Sequence, residues 1–71
     1  MPRFKFVLLD HRYHVRAVEE TDFETDEMAC ERARSMYGNR APYAVEVWDG
    51  GRFVCRVNEA GLHFSPPPPI S

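Results

Sequence analysis

Apolar and polar residues alternate one for one in four stretches of the chain. In Arg3–Leu9, Phe4, Phe6 and Leu8 fall on one side and Arg3, Lys5, Val7 and Leu9 on the other. Tyr13–Glu19 sets Val15 and Ala17 against His14, Arg16 and Val18. Tyr43–Trp48 sets Val45 and Val47 against Glu46 and Trp48, and Arg52–Val57 sets Phe53, Cys55 and Val57 against Arg52, Val54 and Arg56. A period of two, carried by aromatic and β-branched residues, predicts four strands. Between the second and third the period changes. Ala29, Cys30, Ala33, Met36 and Tyr37 recur at helical spacing, opposite Glu27, Glu31, Arg34 and Ser35. Thr25 can cap that helix, Asp26 and Glu27 suit its first turn, Gly38 suits its end and Pro42 prevents continuation.

The element order is therefore β-β-α-β-β, an α+β fold in which one helix covers one face of a four-stranded, mostly antiparallel sheet. Cross-strand partners share a face, so parity sets an expected register. Val47 pairs with Phe53 and Val45 with Cys55 around a three-residue loop, Asp49-Gly50-Gly51, which places Trp48 opposite Arg52. Leu8 pairs with Val15 and Phe6 with Ala17 around Asp10-His11-Arg12-Tyr13.

Residues 1–57 form this single domain. Residues 58–71 read as a tail, because Pro66–Pro69 cannot join a ladder or a helix and favours extended polyproline II. Leu62, His63 and Phe64 can dock back, and the Pro66 and Pro69 spacing also suits proline-reading domains, although no basic residue flanks it. A domain of about 60 residues buries only ~60% of its unfolded surface, so self-association is plausible from size alone.

The chain has 71 residues, is 44% hydrophobic and carries a net charge of −2. It is too apolar for disorder and too acidic for a dedicated nucleic-acid binder. Its longest apolar run, Phe6-Val7-Leu8-Leu9, is far short of the ~20 residues of a membrane helix. Met1-Pro2-Arg3-Phe4-Lys5 lacks the apolar segment of a secretory leader, so a cytoplasmic location is expected. Seven of the eleven acids crowd into residues 19–31 without the spacing or central glycine of a calcium loop, which reads as a solvated acidic stretch.

Catalytic patterns are not present. Gly50-Gly51 closes a hairpin and opens no helix, so it is no phosphate cradle. His11, His14, His63, Cys30 and Cys55 lack metal-ligand spacing, and both cysteines point coreward as small hydrophobes. No catalytic residue, metal ligand or cofactor is expected. The open face of the sheet is the candidate surface. By parity it gathers Arg3, Lys5, Arg16, Arg52 and Arg56, five of the nine basic residues, with Trp48, Val7, Leu9, Val18, Val54 and one acid, Glu46. Three readings stay open. The face is a protein interface, a platform for single-stranded bases, or an internal ladder in which Trp48 stacks on Arg52 beside Glu46.

Phe6-Val7-Leu8-Leu9-Asp10, Thr25-Asp26-Glu27-Met28-Ala29 with Ala33-Arg34, and Glu46-Val47-Trp48-Asp49-Gly50 with Arg52, Val54 and Arg56 bring a family into view. Over most of residues 3–57 the chain resembles a group of short bacterial proteins and domains of unknown function. The resemblance implies a small α+β domain and supplies no reaction or ligand. The expected function is a non-enzymatic protein-protein interaction module, either a homo-oligomer or a subunit of a larger complex. It would bind through Arg3, Lys5, Arg16, Trp48, Arg52, Val54 and Arg56 and through its edge strands. The alternative is a weak, sequence-tolerant nucleic-acid binder using the same face. No membrane partner is expected.

Overall fold

Thr25 starts the helix as its residue type suggests. Its backbone is extended (φ −136°, ψ 158°), and its side-chain oxygen accepts a hydrogen bond from the Met28 N–H at 3.2 Å. A computed structural model describes residues 2–64 of the chain. It contains β1 (Arg3–Leu9), β2 (Val15–Asp22), α1 (Asp26–Arg40), β3 (Ala44–Asp49), β4 (Arg52–Asn58) and β5 (Gly61–His63). The strands form one sheet in the order β2-β1-β3-β4-β5, with every neighbouring pair antiparallel. The fold is α+β, and the single helix packs across β3 and β4.

The sheet has five strands where four were expected. The extra strand lies in the stretch read as a tail. Asn58 ends β4 and its side chain accepts from the Ala60 N–H at 2.9 Å, while Gly61 takes φ 108°, a left-handed geometry that suits glycine. This tight turn sends the chain back along β4, and Leu62 packs against the core. The sheet thus runs to His63, past residue 57, after which a tail was expected. The Pro66–Pro69 run lies outside the described residues.

The helix also outruns its expected end. Gly38 is helical, and the left-handed cap falls at Ala41 (φ 50°, ψ 45°), whose N–H bonds the Tyr37 carbonyl at 3.2 Å. Pro42 then blocks further helix. Gly38 is exposed and a Cβ there would meet nothing within 4 Å. Gly38→Ala is therefore expected to raise stability by about 0.5–1 kcal/mol, read as a higher urea midpoint at unchanged slope.

The helix buries Ala29, Cys30, Ala33 and Met36, the face expected from its spacing. Opposite them lie Phe4, Phe6 and Leu8 of β1, Val45 and Val47 of β3, and Cys55 and Val57 of β4. Phe23 closes the core, meeting Phe6 edge-on with ring centroids 5.9 Å apart.

Both hairpins depart from the parity register, partly through the length of the turn and partly through a β-bulge, which adds one residue to one strand and inverts the side-chain alternation across it. In β1–β2, Phe6 pairs with Glu19, Leu8 with Ala17 and Leu9 with Val15, leaving Arg16 as the extra residue. In β3–β4, Val45 pairs with Val57, Val47 with Cys55, Trp48 with Phe53 and Asp49 with Arg52, leaving Val54 extra. The loop is then only Gly50-Gly51, with Gly50 at φ 63°, so a two-residue turn replaces the expected three-residue loop.

Candidate protein-interaction surface

The face of the sheet turned away from α1 is assembled by alternation from β1 outward. Lys5 and Val7 of β1 lie between Glu20 and Val18 of β2 on one side and Trp48 and Glu46 of β3 on the other. Arg56 of β4 pairs with Glu46, and His63 of β5 pairs with Arg56.

A polar and aromatic ladder runs across this face. Glu46 accepts from the Trp48 indole N–H at 3.2 Å and from Arg56 Nε at 3.2 Å, and a second guanidinium nitrogen of Arg56 also binds it. The Arg56 guanidinium lies 5.4 Å from the centroid of the Tyr13 ring, close enough for a cation–π contact. Tyr13 meets Tyr43 edge-on at 5.5 Å, and Trp48 meets Phe53 edge-on at 5.3 Å. The Glu46 and Arg56 side chains are only 15% and 16% exposed.

Tyr13 reaches this position because the β1–β2 turn bends the chain sharply. The Asp10 side chain accepts from the backbone N–H groups of Arg12 (2.8 Å) and His14 (2.9 Å), and Tyr13 takes φ 62°. The bonds from His14 and Arg12, with the nearby His14 and His11, hold the Asp10 carboxyl below its usual range. Leu9 and Ala44 pair with each other at this end and are buried although they lie outside the main core cluster.

Of the residues expected on this face, Arg3, Lys5, Trp48 and Arg56 are there. Arg16, Arg52 and Val54 are not. Arg16, the extra residue of the β2 bulge, lines a cleft with Arg40 and Pro42 at the C-terminal end of the helix. Val54, the extra residue of β4, is 5% exposed and belongs to the core cluster. Arg52 lies on the helix side. It grips Asp26 through two bonds, of 3.1 and 2.9 Å, and reaches Asp49 at 3.0 Å, fastening the helix N-terminus to the hairpin. The expected Trp48–Arg52 stack is accordingly replaced by the Trp48–Phe53 contact. Val15, Tyr13, Tyr43 and Phe53 are members of the face that parity assigned elsewhere. Their only signal was their aromatic or β-branched type.

The basic character expected of the face is dispersed by this placement. Arg3, Lys5 and Arg56 remain, matched by Glu20, Asp22 and Glu46. Arg3 pairs with Asp22 at 3.3 Å and Arg56 with Glu46, so of these three Lys5 alone has no salt-bridge partner among the described residues. What stands out is apolar. Val15 is 60% exposed and Val18 48% exposed, both on β2, an eight-residue strand whose outer edge is unpaired among the described residues.

The Arg52 grip, through its hydrogen bonds, also holds the Asp26 carboxyl below its ordinary range. A carboxylate with a lowered folded-state pKa contributes stability that is complete above its unfolded value, near 4, and is lost as pH falls through the folded value. Urea midpoints measured from about pH 7 to pH 2 are therefore expected to drop on the acid side. Arg52→Ala should flatten part of that drop while leaving solution mass unchanged.

Among the described residues, no group of three or more His, Cys, Asp or Glu side chains is arranged to hold a metal, and no helix is long and apolar enough to cross a membrane. The Glu46-Val47-Trp48-Asp49-Gly50 stretch is accounted for locally: Glu46 and Trp48 build the ladder, Val47 fills the core, Asp49 receives Arg52 and Gly50 makes the turn. No family model, curated protein or solved structure matches the chain.

Proposed function

We propose that the protein is a non-enzymatic interaction module that assembles through the free edge of β2 and the apolar strip beside it, with a second copy of the chain as the partner. The observation that carries this reading is the exposure of Val15 and Val18 on an eight-residue strand whose outer backbone groups have no ladder partner among the described residues. Such an edge is a template for another strand. An antiparallel pairing of β2 with β2 of the second copy, about a two-fold axis through Val18, sets Val18 against its own counterpart. The pairing is isologous, as a dimer axis requires. The small size of the domain favours such burial.

Glu46 is no free acid or base on this face, because Arg56 and Trp48 already occupy it. A nucleic-acid partner has less support, since the five basic residues that suggested it are divided between two faces and mostly paired.

Sedimentation equilibrium across a concentration series tests the proposal. The parent chain is expected to dimerise with little dependence on salt. Val18→Glu, which puts two carboxylates together on the axis, should weaken dimerisation about a hundredfold or more while keeping the circular dichroism of the parent. A parent that stays monomeric at high micromolar concentration contradicts the reading. Retention of single-stranded RNA by that monomer, falling steeply with salt, would replace it with the nucleic-acid alternative.

A further inference from the structure

Cys30 on α1 and Cys55 on β4 are both buried, and their sulfur atoms lie 2.8 Å apart. Ordinary non-bonded heavy-atom contacts fall near ~3.5–4.0 Å. The pair sits where the helix meets the centre of the sheet. Cys30 belongs to the same helix face as Ala33, and Cys55 is the cross-strand partner of Val47. Neither cysteine belongs to the open face, and the spacing of the two in the chain gave no hint of their meeting.

We propose that Cys30 and Cys55 form an internal disulfide when the chain folds in the presence of a small-molecule disulfide, stapling α1 to β4. The step is a thiol–disulfide exchange. One cysteine, having lost its proton, attacks a disulfide RSSR, forms a mixed disulfide and releases RS⁻. The other thiolate then attacks the protein sulfur of that mixed disulfide and releases the second RS⁻. The two protons lost by the cysteines protonate the two leaving thiolates, so the two cysteines are oxidised and RSSR is reduced to two RSH.

Burial pushes both thiols up in pKa, Cys55 further than Cys30. The folded dithiol therefore presents little thiolate, and no sulfur is open to a reagent. Exchange runs through the opened chain, so the bond closes during folding and, once closed, is shielded from reductants. In a reducing compartment the chain keeps the dithiol. The staple joins residues 25 apart, and closing a loop of that length in the unfolded chain lowers the unfolding constant by roughly two orders of magnitude.

The test refolds the reduced chain from urea with oxidised glutathione in one arm and with a reductant in the other. The glutathione arm should yield a product with no free thiol, two hydrogens lighter than the reduced chain. Proteolysis should release Cys30 and Cys55 in one linked peptide, and unfolding should require more urea than in the reductant arm. Folded dithiol protein should react with an aromatic disulfide reagent only as fast as it unfolds. Cys30→Ala, a small change in size, should make the two arms equal. Glutathione adducts or thiol-linked dimers as the main products would overturn the proposal, as would equal urea midpoints for the two arms of the parent.

Discussion

Replacing Ala33 by Asp is expected to abolish folding. Ala33 has no exposed surface and lies on the helix face packed against β3 and β4. A carboxylate there has no partner, and placing it against Val45, Val47 and Cys55 costs several kcal/mol even after it takes up a proton. A domain of this size has only about 3–10 kcal/mol to lose. The circular dichroism spectrum of Ala33→Asp should be that of an unfolded chain at 25 °C, whereas Ser35→Asp, on the exposed side of the same helix, should fold like the parent. Equal folding of both variants would mean that the helix presents a different face to the sheet.

The second large effect concerns Glu46. Its carboxylate is the shared acceptor of the Trp48 indole and the Arg56 guanidinium, in a pair that is five-sixths buried. Glu46→Ala leaves a mostly buried cation and an N–H group without acceptors, at a cost of about 2–3 kcal/mol. The loss falls on stability, since Glu46 lies on β3, away from the β2 edge proposed for binding. Joint replacement, Glu46→Leu with Arg56→Leu, removes both members of the pair and should recover most of the loss. Urea unfolding of the three proteins measures it. A single variant within about 0.5 kcal/mol of the parent would show that the ladder carries no stability.

What could be read from the sequence follows the reach of each signal. Hydrophobic period found β1, β3 and the core face of α1, since Phe4, Phe6, Leu8, Val45, Val47, Ala29, Cys30, Ala33 and Met36 each answer to a local repeat. Counting by parity then failed at Arg16 and Val54, where bulges insert one residue. A bulge is settled by how two strands fit together, and neither strand alone carries it. Its consequences are large here. One inserted residue in β4 sends Val54 into the core and Arg52 to the helix N-terminus, and brings Phe53 beside Trp48. In β2 the other bulge removes Arg16 from the open face and puts Val15 there. The fifth strand was hidden by the neighbouring prolines, although Asn58 and Gly61 bracket a turn. Tyr13 was expected in the loop but not on the open face, because its φ of 62° follows from the bend that Asp10 makes.

The proposed pairing of β2 with β2 of a second copy is tested most directly by amide hydrogen exchange, followed residue by residue at rising protein concentration. Those amides of Val15–Asp22 that point away from β1 should gain protection in step with concentration, centred on Val18, while the amides of Gly61–His63 on the opposite edge keep their rates. Rates along β2 that do not change with concentration, in a chain shown by the same samples to be monomeric, would contradict it.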